Sequence, residues 1–254
     1  MTKPAGNAPA TSMRSLERAI DVLEVLDGSR HALRLSDIAR RAGLPVATTQ
    51  RILGVLESRG RVERDGNGYR PGVGLIFGAH AYLTSSPLIT AARPVLQDLA
   101  AETGLTASLF RRVGWARVVL ARVGGTRPLR YELPVGERLP LHLGAGKAIA
   151  AWLTPQEIDE VLQADDLIGA DGAPLDRDKF RADLKRIRDR GFSDARGERV
   201  PGMASVAAPV IDPDGVVIGA VQAAGHQEDV PLERVDQLGV EVQRAAFAIA
   251  RRAF

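Results

Sequence analysis

Cysteine is absent from the 254 residues. That removes disulfides, thiolate metal sites and cysteine nucleophiles together. Aromatic residues make up only 4% of the chain against 45% hydrophobic residues in all, so Leu, Val, Ile and Ala must build the core. Four histidines, at positions 31, 80, 142 and 226, are scattered without HxxxH or HxH spacing, and no metal site or cofactor is expected from them. No run approaches the ~18 uninterrupted apolar residues of a membrane span. The first eleven residues carry no apolar segment of the secretory kind, so the expectation is a cytoplasmic protein with no membrane partner. Ser205 lacks a GxSxG context, and Gly144-Ala145-Gly146-Lys147 lacks the GxxxxGK[ST] spacing of a phosphate-binding loop. No catalytic residue set stands out.

What is present is unevenly charged. Residues 1–84 hold 12 Lys/Arg against 8 Asp/Glu, and residues 85–254 hold 22 against 23. Eleven of the twelve N-terminal cations are Arg, whose planar fork suits phosphate and guanine. The asymmetry points toward nucleic acid.

Residues 1–11 read as a flexible tail. Leu16, Ile20, Leu23, Val25 and Leu26 recur at helical spacing, with Ser12 or Ser15 as candidate cap and Asp27-Gly28-Ser29 as the stop. Ser36 is placed to cap a short helix through Ile38, Ala39 and Ala42, and Gly43 suits a left-handed turn after it. Pro45 opens a third helix that runs to about Ser58. Arg61–Arg64 and Gly68–Arg70 flank Asp65-Gly66-Asn67 as a hairpin. Helix, helix, turn, helix and hairpin over residues 12–71 is the order of a winged helix-turn-helix. The alternative is a plain helical hairpin with a satellite β-hairpin. Apolar residues 72–85 read as a linking helix suited to dimerisation.

The remainder, 86–254, reads as an α/β domain. A long helix runs from Leu88 to Glu102. Strands are expected at Thr106–Val113, Ala116–Val123, Leu129–Leu133, Ser205–Ile211 and Val216–Ala223, and helices at Ala145–Leu153, after the Thr154-Pro155-x-Glu157 capping box, at Asp178–Arg190 and at Leu232–Arg252.

On these residues the chain resembles the IclR-type transcription regulators. In the N-terminal part the likeness is carried by Ser15–Ala19, Leu35–Ala39, Gly43-Leu44-Pro45 and Arg51-Ile52-Leu53. Further on it is carried by Leu139–His142, Gly146-Lys147-Ala148, Gly191-Phe192, and Ala207–Val210 with Gly215. The resemblance implies an α+β chain. Its parts would be an N-terminal winged helix-turn-helix, a linker helix and a C-terminal GAF-like effector domain with an antiparallel sheet, assembled as a homodimer or a dimer of dimers. The partners it implies are double-stranded DNA with a palindromic operator and a small-molecule effector.

In a reader of this kind the second helix of the motif enters the major groove. The segment is Pro45-Val46-Ala47-Thr48-Thr49-Gln50-Arg51. Gln50 can pair with adenine, Arg51 with guanine or phosphate, and Val46, Ala47 and Thr48 can meet a thymine methyl. Thr49 and Arg51 have an equally good alternative, packing or capping for the first and an internal ion pair for the second. Ser36 either contacts a phosphate or only caps. Arg64 in the wing either touches DNA or is a solvated surface residue.

The sensor pocket is expected from three pieces. Leu143-Gly144-Ala145-Gly146 either exposes N–H groups to a carboxylate or is a tight turn that needs glycine for its geometry. Met203 and Ser205 enter a central strand, and Gln222 and Ala224 share one face of the next. Leu129 and Tyr131 either add an apolar wall or pack in the core, and His142 reads as a structural hydrogen bonder. Members of the resembling family often carry Cys at the Ser205 position and Ser at those of Gln222 and Ala224. The loop between His142 and Lys147 is one residue shorter here, and the acidic cluster near Ala195-Arg196-Gly197 is reduced to Asp194 and Glu198. The expected function is a DNA-binding repressor modulated by a small organic acid. Its rivals are a constitutive DNA-binding protein and an enzyme.

Overall fold

The computed structural model describes residues 10–126, 133–163, 167–169 and 172–254, and it divides into two compact units, 1–83 and 84–254. In the first unit, α1 (Ala10–Asp27), α2 (Leu35–Arg41) and α3 (Val46–Ser58) precede a hairpin of β1 (Val62–Asp65) and β2 (Gly68–Pro71). The hairpin pairs Arg64 with Tyr69 and Asp65 with Gly68 across a two-residue turn, where Gly66 takes φ +56°. Leu33 bridges Tyr69 as a third, single-residue strand.

The core of this unit is Val22, Leu26, Ile38, Leu53, Val62 and Tyr69. Ala39 is buried between α2 and α3, and Gly43 turns the chain at φ +63°. Two expectations are corrected. Leu16 is 61% exposed and Ile20 is exposed as well, so the inward stripe of α1 begins at Val22 rather than Leu16. Ser36 does not cap α2. The N-cap is Arg34, whose carbonyl accepts from Asp37 and Ile38 N–H, and Ser36 is exposed one position inside the helix.

Helix α4 (Leu75–Ser85) is apolar in sequence, yet none of its side chains is buried, and Phe77 is 72% exposed.

In the second unit, α5 (Pro87–Thr103) ends at Gly104, which takes φ +73°. A six-stranded antiparallel sheet follows in the order β5-β4-β3-β8-β7-β6. Its strands are β3 (Thr106–Val113), β4 (Ala116–Val123), β5 (Arg138–Pro140), β6 (Ser193–Arg196), β7 (Met203–Ile211) and β8 (Val217–His226). Between β5 and β6 lie α6 (Ala145–Ala150), α7 (Pro155–Gln163) and α8 (Arg177–Arg190), and α9 (Val235–Ala253) closes the chain. Thr154 and Glu157 form the expected capping box: Thr154 N–H donates to Glu157 at 2.9 Å, and Glu157 N–H donates back to Thr154 Oγ1 at 3.2 Å.

The two-residue period sorts the sheet into faces. Ala107, Leu109, Val206, Ala208, Val221 and Ala223 point to one face, and α5 and α9 pack on the sheet. Phe110, Val119, Ala207 and Ala220 share a second core with α6, α7 and α8. The expected strand at Leu129–Leu133 lies, but for Leu133, outside the described residues. Strands β5 and β6 are additions to the sequence reading.

Candidate DNA-reading helix and ligand cleft

One face of α3 is bare. Val46, Ala47, Gln50, Arg51, Gly54 and Val55 are all exposed and fall on one stripe at helical spacing, while Leu53 points to the core. Pro45 is exposed immediately before the helix and Thr48 is half-buried. Thr49 is 0% exposed, and its hydroxyl donates to Pro45 O at 3.2 Å. It packs and bonds internally, so the packing alternative holds for this residue and a base contact does not.

Arg64 is exposed but engaged. Its Nε donates to Glu57 at 3.1 Å and its guanidinium lies 5.0 Å from the Tyr69 ring centre. That contact fastens the hairpin to α3. An exposed pair of this kind stabilises by about 0.2–1 kcal/mol, little enough for Arg64 to exchange Glu57 for a phosphate.

In the second unit a cleft of about 680 Å³, its open mouth included, is lined by residues of β3, β4, β6, β7 and β8. Its floor is set by register: Thr106 opposes Ala224, Ser108 opposes Gln222, and Ser205 opposes Ala224 from the other side. These residues alternate along their strands, so all present their side chains to the same face. Met203, Ser205, Gln222 and Ala224 therefore line one cleft, together with Gly144. Thr106 Oγ1 is buried there without a hydrogen-bond partner among the described residues.

The rest of the expected set divides. Ala145 belongs to the core cluster. A Cβ on Gly146 would lie 2.4 Å from Arg117 Nη1 and 2.5 Å from Leu141 O, so this glycine is there for close approach. Leu143 contributes its carbonyl, which accepts from Arg117 Nη1 at 2.5 Å. Leu129 and Tyr131 lie outside the described residues. His142 Nε2 bonds Ile168 O at 2.9 Å, and burial holds its pKa below the ordinary histidine value.

Four charged residues of the cleft, Arg117, Arg122, Glu198 and Arg199, are additions. Arg117 on β4 is 2% exposed, and Nη1 also donates to Pro140 O. Its pKa is pushed down to about 9, first by burial and then by the nearby charge of Arg199, with Glu198 opposing both. Glu198 accepts from Gly144 N–H at 2.8 Å and forms an ion pair with Lys147. The alternation of β4, which puts Arg117 on the same face as Val119, was a signal for the first. For Glu198 the only signal was its survival as one of two acids in that stretch.

A family model described as the IclR helix-turn-helix domain matches residues 15–66, and one described as bacterial transcriptional regulator IclR C-terminal matches residues 80–251. The transcriptional repressor IclR of Escherichia coli (strain K12) is 30% identical, over 96% of this chain and 92% of that protein. The HTH-type transcriptional regulator BhcR of Paracoccus denitrificans is 31% identical, over 97% and 91%. Among solved structures, an IclR family transcriptional regulator from Brucella abortus superimposes with a TM-score of 0.80 at 21% identity, covering 98% of this chain and 99% of that one. An IclR homolog from Microbacterium hydrocarbonoxydans, solved in complex with 4-hydroxybenzoate, gives 0.70 at 25% identity, covering 94% and 98%.

Proposed function

Since the chain belongs to the IclR family of transcriptional regulators, we propose that it is a sequence-specific repressor whose affinity for DNA responds to a small organic acid bound in the cleft of its second unit. The observation that carries this reading is the open cleft itself. Its floor of Thr106, Ser108, Ser205 and Gln222 offers hydrogen bonds, and Arg117, Arg122 and Arg199 bring positive charge to it. A constitutive DNA-binding protein would need no such cavity. An enzyme would need an acid–base or nucleophile pair. Arg117, the cleft-lining group with a strongly shifted pKa among the described residues, is instead committed to two backbone carbonyls. The 4-hydroxybenzoate held by a relative supports the carboxylate class.

On the DNA side the contact set is Val46, Ala47, Thr48, Gln50 and Arg51 in the major groove, with Pro45, Ser36 and Arg64 toward the backbone or minor groove. Thr49 drops out because it is enclosed. The active form is a homodimer or dimer of dimers on a palindromic operator. A second copy covers exposed apolar residues, Ile76, Phe77 and Tyr82 on α4 and Met13, Leu16 and Ile20 on α1. Effector binding then shifts the equilibrium between dimer geometries, and with it the half-site spacing.

The test is a thermal-shift screen of the full-length protein against small carboxylic acids and amino acids. Each hit is carried into a binding assay with the intergenic DNA beside the gene. A hit that raises Tm and changes DNA affinity supports the reading. No stabilisation by any organic acid would count against the acid-binding cleft.

A further inference from the structure

The loop that carries Glu198 is built as a flap. Residues 197–202 connect β6 to β7, and glycines in left-handed conformation stand at both ends, Gly197 at φ +65° and Gly202 at φ +79°. The base is stitched by Gly197 N–H to Met203 O at 2.7 Å and by Gln227 N–H to Gly202 O at 2.9 Å. Between the glycines, Glu198, Arg199 and Val200 form one wall of the cleft.

The Glu198 side chain ties that wall to the opposite one. One carboxylate oxygen accepts from Gly144 N–H at 2.8 Å and the other pairs with Lys147 Nζ. Lys147 is 7% exposed and Glu198 17%, so the pair is largely withdrawn from water, and an ammonium left there alone would be strongly disfavoured. Buried Arg117, whose charge Glu198 stabilises, adds to the demand for an anion at this point. A second, independent observation that points to a ligand lies on the floor of the same cleft. Thr106 Oγ1 is buried with no hydrogen-bond partner among the described residues, and such a group is costly unless something comes to pair with it.

We propose that Glu198 is a resident carboxylate seated where the effector's acid group goes, so that a small carboxylate enters by displacing it and frees the 197–202 flap. This rests on the effector reading above. The seat is the Gly144 N–H together with the Lys147 ammonium, and the ligand is any small organic acid able to offer them a carboxylate. Displacement explains how occupancy is transmitted. The ligand's affinity is reduced by the fraction of time the seat is already taken, and the energy of breaking the clasp appears as movement of the flap.

The probe is formate, with acetate beside it, against chloride at constant ionic strength, and the readout is the Tm of the full-length protein. Glu198→Ala should melt lower than the unaltered chain and recover saturably with formate, at a midpoint about tenfold or more below any response of the unaltered chain. Adding Lys147→Met should abolish the recovery. Equal midpoints in the two proteins, or no difference between formate and chloride in Glu198→Ala, would overturn the proposal. If Glu198→Ala does not fold, the unaltered protein gives the answer. Formate or acetate should accelerate tryptic cleavage after Arg199 saturably relative to chloride, and an unchanged cleavage rate overturns the displacement. DNA binding by the unaltered chain, measured without added carboxylate, separates the two failures. If it persists while formate has no effect, only the displacement falls; if it is absent, the regulator reading falls whatever formate does.

Discussion

Two glycines of this chain, changed identically to alanine, should move stability in opposite directions. Gly54 sits inside α3, and a Cβ built on it meets nothing within 4 Å. Alanine there gains only the backbone term of about 1 kcal/mol that a helix interior grants over glycine. Gly146 sits in α6, where the added Cβ would lie 2.4 Å from Arg117 Nη1, 2.5 Å from Leu141 O and 2.6 Å from Leu141 Cα. Two of those three atoms are backbone and cannot rotate away, and Arg117 is held by Pro140 O and Leu143 O. Reaching ordinary contact needs a retreat of roughly 1 Å through a packed loop, an overpacking cost of about 1–3 kcal/mol or more. Because the residues fall in separate units, calorimetry of the full-length protein can read both. Gly54→Ala should raise the transition of the first unit by about 4–8 °C, and Gly146→Ala should lower that of the second by about 2–12 °C. A Gly146→Ala protein that melts unchanged or higher would refute the view that Arg117 and Leu141 pin this loop. It would return residues 143–146 to the reading in which glycine merely exposes N–H groups.

Four further outcomes are expected. Gln50→Ala should lose about 1–3 kcal/mol of discrimination at one or two base pairs, read by titrating cognate and single-mismatch duplexes; equal loss on scrambled DNA would make Gln50 a backbone contact. Thr49→Ala should cost about 1–2 kcal/mol of stability through its lost hydroxyl bond and buried methyl while leaving operator preference unchanged; a changed preference would put Thr49 back in the groove. If α4 carries the proposed interface between copies, Phe77→Glu should sediment as a monomer where the unaltered protein does not and should bind operator more weakly, and an unchanged mass would remove α4 from that interface. Burial holds the pKa of His142 below the ordinary histidine value of about 6.5. The unfolded chain therefore binds more protons below pH 6.5, so this residue's contribution to stability is constant above that pH and is lost as pH falls beneath it. Chemical denaturation of the unaltered protein and of His142→Gln between pH 7.5 and pH 5 should show the slope flattened in the variant (a pH range chosen to bracket the ordinary histidine value), and parallel slopes would contradict it.

Most of the fold was legible because local chemistry and tertiary context agree. Gly43, Gly66 and Gly104 stand where positive φ is needed, Thr154 and Glu157 form their capping box, and the period of two along β7 and β8 brings Ser205, Gln222 and Ala224 to one face. What was not legible depends on distant partners. Strand β6 reads Ser-Asp-Ala-Arg and offers no apolar alternation. Its small residues face inward, and Asp194 is paired with Arg190 at 2.9 Å. Alternation along β4 sets the face of Arg117, but its partners are carbonyls 23 and 26 residues away, which local pattern does not reveal. Leu16 and Ile20 have helical spacing, but spacing alone does not say whether a stripe faces the chain's own core or another surface. Ser36 is a good capping residue by type, yet the chain enters α2 two residues earlier, at Arg34.

The central claim is that the exposed stripe of α3 reads DNA sequence under control of the cleft. Its most direct test is a fluorescence-anisotropy titration of the full-length protein against its intergenic DNA and a scrambled duplex at one fixed salt concentration, with and without an acid that raises its Tm. The account predicts tighter binding to the intergenic duplex by about 10³-fold or more, and a shift of that affinity alone when the acid is added. Equal affinity for the two duplexes, or a bound acid that leaves the operator affinity where it was, would contradict it.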